Sequence, residues 1–165
     1  MTRIGKEFLI IAAALVAALT GLATTTAVAA PSTVQCGAPI NSVVKTEIVA
    51  TVSNATSFAQ IPGAAVTVIV APSSTRCIKV RFLPLANCDG SFANQCLIRV
   101  LDNSSGLSPV VSVNGVDGGQ PLANAFEWVR RVGPGTHTIS VQRRVTNTSS
   151  LFHFKSWMLD VEVTN

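Results

Sequence analysis

Residues 156–163, SWMLDVEV, alternate without interruption. Trp157, Leu159, Val161 and Val163 fall on one side of an extended chain; Met158, Asp160 and Glu162 fall on the other. A period of two marks a strand with one face in a core and one toward water. This pattern, with short β-branched runs, dominates the chain beyond residue 40, where helical spacing is almost absent. Eight runs stand out, over 43–52, 64–71, 77–83, 96–101, 109–114, 122–132, 136–145 and 156–163. Turn clusters separate them: 53–57, Asp102-Asn103-Ser104-Ser105-Gly106, Asn114-Gly115, Asp117-Gly118-Gly119 and Gly133-Pro134-Gly135. Gly, Pro, Asn, Asp and Ser supply the backbone angles that turns need, and Asn-Gly signals a two-residue hairpin.

Eight short strands with frequent turns predict an all-β chain folded as an antiparallel β-sandwich, jelly-roll-like. An immunoglobulin-type sandwich fits less well, because Trp128 and Trp157 both follow all four cysteines instead of lying between two of them. Alternation also assigns faces. Val44, Thr46, Ile48, Ala50 and Val52 share the more apolar side of the first run. The second run, AAVTVIVA, is apolar at nearly every position, as a strand buried on both faces would be. In the third, Ile78, Val80 and Phe82 oppose Lys79 and Arg81. Phe126, Trp128 and Trp157 take inward positions.

The first 30 residues read differently. Arg3 and Lys6 precede an apolar run over 8–22 broken only by Thr20 and Gly21, and small residues occupy the −3 and −1 positions of a cut after Ala29 or Ala30. This is the pattern of a secretory signal peptide, too short for a membrane span of about 20 residues. The expected organisation is a signal peptide over 1–30 and a single β-sandwich domain over 31–165, exported from a bacterial cell. Removing Arg3, Lys6 and Glu7 takes the 12 basic residues to 10 and the 8 acidic ones to 7, leaving +3. That mild, scattered charge does not suit a nucleic-acid binder, which concentrates cations on one face.

Export places Cys36, Cys77, Cys88 and Cys96 in an oxidising compartment. No C-x2-C or C-x4-C spacing is present to hold a metal or a redox pair. Of the three pairings, Cys36–Cys77 with Cys88–Cys96 is favoured, because Cys88 and Cys96 bracket one polar loop before the next apolar run.

The stretch CIKVRF, a second Cys about ten residues on, a third Cys opening LIRVLD, and then FEWVRR, GPGTHTISVQ and SWMLDVEV are similar to secreted bacterial proteins of unknown function with jelly-roll-type sandwiches. The resemblance spans roughly residues 40–163. It implies a fold and carries over no activity.

Candidate chemistry is sparse, and no catalytic residue, metal or cofactor is expected. His137 begins a strand in register with Ile139 and Val141; His153 sits between Phe152 and Phe154. Both read as ordinary strand histidines, and no G-x-S-x-G elbow accompanies them. Glu127, Asp160 and Glu162 read as a solvated strand face, not as the facing carboxylates of a glycosidase. Asn54, Asn103 and Asn147 open Asn-x-Ser/Thr triplets that read as turns in a bacterial chain. The remaining feature is basic: Lys79, Arg81, Arg99, Arg130, Arg131, Arg143 and Arg144 would pool into an anion-binding face if their strands shared one sheet. Lys79, Arg81, Arg130 and Arg143, with Trp128 should its register turn it outward, are the candidate binding residues. The expected role is a non-catalytic extracellular binding or surface module whose partner is a glycan or a cell-surface protein. The alternatives are a homo-oligomeric assembly protein of the cell surface and a secreted hydrolase.

Overall fold

Ten strands accommodate the eight runs in the structure, a computed structural model that describes residues 34, 36–48, 50–90, 95–113 and 120–165. The leader expected over 1–30, residues 91–94 of the bracketed loop, and the turns at Asn114-Gly115 and Asp117-Gly118-Gly119 lie outside the described residues. Two runs are each split. The first becomes β1 (Pro39–Glu47) and β2 (Thr51–Ser53), both paired with β10 (Leu151–Thr164). The sixth becomes β7 (Leu122–Ala123) and β8 (Phe126–Val132), both paired with β4 (Arg76–Asp89). The others are β3 (Ala59–Val70), β5 (Cys96–Asp102), β6 (Ser105–Val113) and β9 (Gly135–Val145).

Pairing follows one rule. Among the eight principal strands the first lies against the last (β1–β10), the second against the seventh (β3–β9), the third against the sixth (β4–β8) and the fourth against the fifth (β5–β6), all antiparallel. A chain paired this way is a long hairpin wound upon itself, the jelly roll. Winding distributes the strands over two sheets: sheet A in the order β1-β10-β4 with β7 and β8 beyond, and sheet B in the order β3-β9-β5-β6.

The core lies between the inner faces. Phe82, Val80 and Trp128 on sheet A meet Ile98, Val100, Ile139 and Val141 on sheet B, all at 1 % exposure or less. Burying a side chain of this class stabilises by about 1.5–3 kcal/mol. A register shift between Phe154 and Ser156 lets Phe152 and Phe154 face inward ahead of it, and Trp157 and Leu159 after it. One extra residue reverses the parity of the strand, which is how a β-bulge re-aims side chains.

Two assignments of face are corrected. Val44, Ile48 and Val52 are 56 %, 90 % and 56 % exposed, while Val43 packs on the core. Val43 lies opposite the buried Val161, and that register decides the face despite the less apolar company of Lys45 and Glu47. Nor is β3 buried on both faces. It is an edge strand paired only with β9, so Ala64, Val66, Val68 and Val70 point inward and Ile69 is 74 % exposed.

Both disulfides join the favoured pairs, each with Cα atoms 5.7 Å apart. Cys36–Cys77 ties the segment before β1 to the start of β4, and Cys88–Cys96 closes the excursion from the end of β4 to the start of β5.

Candidate functional site

The expected basic face does not assemble, because β4 and β8 belong to sheet A and β9 to sheet B. On the outer side of sheet A, Arg81 is surrounded by carboxylates: its Nε donates to Glu127 Oε2 at 3.0 Å, and its Nη1 to Glu162 Oε1 at 2.9 Å and Asp160 Oδ2 at 3.4 Å. The hydrogen bond to Glu127, then the charge of Glu162, raises the Arg81 pKa. Lys79 Nζ lies 3.4 Å from Glu162, and Ser42 Oγ donates to Asp160 at 3.0 Å. These cations are already neutralised by strand neighbours.

The other candidates point elsewhere. Arg130 stands opposite Ile78, half-buried at the β8 edge. Arg143 is 7 % exposed on the inner side of sheet B, where its Nη1 donates to Thr51 Oγ1 at 2.8 Å and its guanidinium lies 5.1 Å from the Phe154 ring. Burial pushes its pKa down. Trp128 is 1 % exposed and donates from Nε1 to the Pro109 carbonyl at 2.6 Å, so it packs the core and displays nothing. The histidines occupy opposite ends of the sandwich. His137 has Nδ1 2.9 Å from Asp102 Oδ1 and Nε2 3.1 Å from the Gly133 carbonyl oxygen. His153 Nε2 is 2.9 Å from Asp89 Oδ2, whose other oxygen accepts from Asn87 at 2.6 Å.

Among the described residues, Arg99 and Arg144 gather without a neutralising carboxylate on the outer side of sheet B. Alternation on β5 and β9 turns Arg99, Gln142 and Arg144 outward, with Arg99 opposite Gln142 and Arg144 opposite Leu97. The segment between β2 and β3 continues the β3 edge, held by the Val145 amide donating to the Ala55 carbonyl at 2.8 Å, and carries Phe58. The Arg99 guanidinium lies 4.1 Å from the Phe58 ring centre and that of Arg144 4.8 Å. Arg99 Nε donates to Gln142 Oε1 at 2.8 Å, whereas Arg144 Nε is buried without a partner. Asp102 is the one carboxylate on the four strands of sheet B; it is 7 % exposed, in register with inward-facing residues, and engaged by His137.

This arrangement has a chemical consequence. Stacking on a ring holds a guanidinium in a fixed plane, and the in-plane N–H groups then present a rigid fork to a carboxylate or sulfate. Phe58 escapes sequence reasoning because it is a lone aromatic in a Ser/Thr/Asn-rich loop. The charge imbalance was readable: the runs forming β3, β5, β6 and β9 hold three arginines and no carboxylate, and Asp102 opens the turn that follows one of them.

The sequence matches no protein-family model and no curated protein. Among solved structures it is similar to a family 35 carbohydrate binding module from Clostridium thermocellum, at 13 % identity and a TM-score of 0.39, over 72 % of this chain and 97 % of that one.

Proposed function

We propose that the protein is an exported, non-catalytic binding module that holds acidic glycans on the outer side of sheet B. The observation that carries this reading is the stacking of Arg99 and Arg144 on Phe58, on a sheet whose single carboxylate points inward. Two cations held on one ring, with Gln142 beside them, suit a polymer that carries carboxylate or sulfate groups. Thr67 and Thr138, whose hydroxyls lie 3.3 Å apart on the same side, add groups that can bond sugar hydroxyls. The non-catalytic part of the reading draws on His137, whose two ring nitrogens are both engaged within the chain, by Asp102 and by the Gly133 carbonyl oxygen. Two disulfides suit an extracellular life.

A glycan array carrying uronate-bearing, sulfated and neutral oligosaccharides tests the reading. Binding to acidic glycans that weakens with salt, and is lost in Arg99→Gln and Arg144→Gln, is the expected result. Absence of any binding to the acidic set rejects it.

A further inference from the structure

We infer that the protein self-associates through β1, which pairs antiparallel with β1 of a second copy about a two-fold axis through Thr46. Among the described residues the sandwich has four edges, and three are shortened by a proline or a break. Edge strand β3 carries Pro62 and a register shift between Gln60 and Ala65. Strand β6 carries Pro109, while β7 and β8 are separated by Asn124 and Ala125; the β6 and β8 edges are also bonded to each other through Trp128 and Pro109. A proline or a break shortens the continuous ladder that an added strand requires, here to Ala65–Val70 on β3 and Phe126–Val132 on β8. The fourth edge, β1, keeps unbroken register with β10 from Asn41 to Glu47 and has no proline in that stretch. It is exposed along nearly its whole length.

The side chains on this edge select the occupant. Lys45 and Glu47 share the side of β1 that carries Val43, and on an edge such charges repel an indiscriminate strand. They have opposite signs and stand two residues apart. With a two-fold axis through Thr46, Lys45 of each copy therefore lies opposite Glu47 of the other, twice per dimer. On the other side Val44 lies opposite Ile48, and these are the exposed β-branched residues at 56 % and 90 %. Moving the axis to Lys45 or Glu47 would set like charges opposite each other, which is destabilising. The edge is thus complementary to its own antiparallel copy, and sheet A would continue across both molecules. That axis stands perpendicular to sheet A, so the two copies would turn their sheet B faces to the same side, away from the β1 contact.

Sedimentation equilibrium on the chain exported with its own leader tests this. The expected result is a dimer whose association constant falls about tenfold in Lys45→Glu and in Glu47→Lys, and recovers in the double variant, since each reversal creates two like-charge cross-strand pairs. Circular dichroism, unchanged in all three, shows that they fold. A second measurement fixes the axis. Residues on it approach to about 4.5–5.5 Å between Cα atoms, within disulfide reach, so Thr46→Cys crosslinks to itself on oxidation and Val44→Cys does not. A chain that stays monomeric at every concentration, single reversals that leave the dimer intact, a double variant that fails to recover, or crosslinking at Val44→Cys in preference to Thr46→Cys would each overturn the proposal.

Discussion

The indole Nε1–H of Trp128 donates to the carbonyl of Pro109 at 2.6 Å and so links β8 of sheet A to β6 of sheet B. The ring itself is 1 % exposed. Trp128→Phe keeps an aromatic in the site and leaves the carbonyl unpaired, for an expected loss of about 1–3 kcal/mol in urea denaturation. Trp128→Ala adds a cavity and costs about 3–5 kcal/mol. If Trp128→Phe is as stable as the native chain, the hydrogen bond contributes nothing to holding the two sheets together.

Phe58 orients two arginines without offering a polar group of its own. Phe58→Leu preserves apolar cover but removes the π-face, so affinity for an acidic glycan drops several-fold, in keeping with about 0.5–1 kcal/mol for an exposed cation–π contact. Arg81→Gln, on the opposite sheet and already surrounded by carboxylates, leaves affinity unchanged. Isothermal titration calorimetry separates these outcomes, and a larger loss at Arg81 than at Phe58 would move the binding face to sheet A.

The disulfides differ in the loops they close, with separations of 41 and 8 residues. On the chain-entropy account, removing Cys36–Cys77 by paired serine substitution costs about 4 kcal/mol and removing Cys88–Cys96 about 2.6 kcal/mol. Thermal denaturation of the two double variants gives the order. The unreduced protein should also weigh four protons less than its reduced form, and free thiols in the unreduced chain would contradict the bridges.

Arg143 is a cation inside the sandwich with a threonine hydroxyl for a partner and a phenyl ring beside it. Its lowered pKa reports the cost of desolvation. Replacing a buried charge with an apolar side chain of similar length is often neutral or stabilising by about 1–4 kcal/mol. Arg143→Met should therefore match or exceed the native midpoint in guanidinium chloride. A clear destabilisation would mean that the Thr51 bond outweighs the desolvation.

Much of the sandwich was legible because alternation is a local property. In β4 and β10 a single strand carries enough apolar residues on one side to declare its inner face, and Phe82 and Leu159 sit where that rule puts them. The rule failed over the first run, where Val44, Ile48 and Val52 outnumber Val43 yet face solvent, because in β1 the pairing of Val43 with Val161 outranks local composition at an edge. It failed again at β3, where Ile69 lies on an exposed side that an apolar run does not reveal. The site was less legible than the fold. Which sheet a strand joins depends on partners distant in sequence, so Lys79 and Arg143 could not be separated in advance. Alternation by itself also gives no reason to turn an arginine inward, and Arg143 is inside.

The Cys36–Cys77 bridge encloses β1, β2 and β3 in one covalent loop. A protease that cut the exposed stretch near Asn54 would therefore not release a fragment. Both pieces would stay joined through sulfur, with β1 and β2 still laddered to β10 and β3 to β9. Wherever a peptidase reaches that stretch, the chain can be nicked in its N-terminal third and remain one molecule until it meets a reductant.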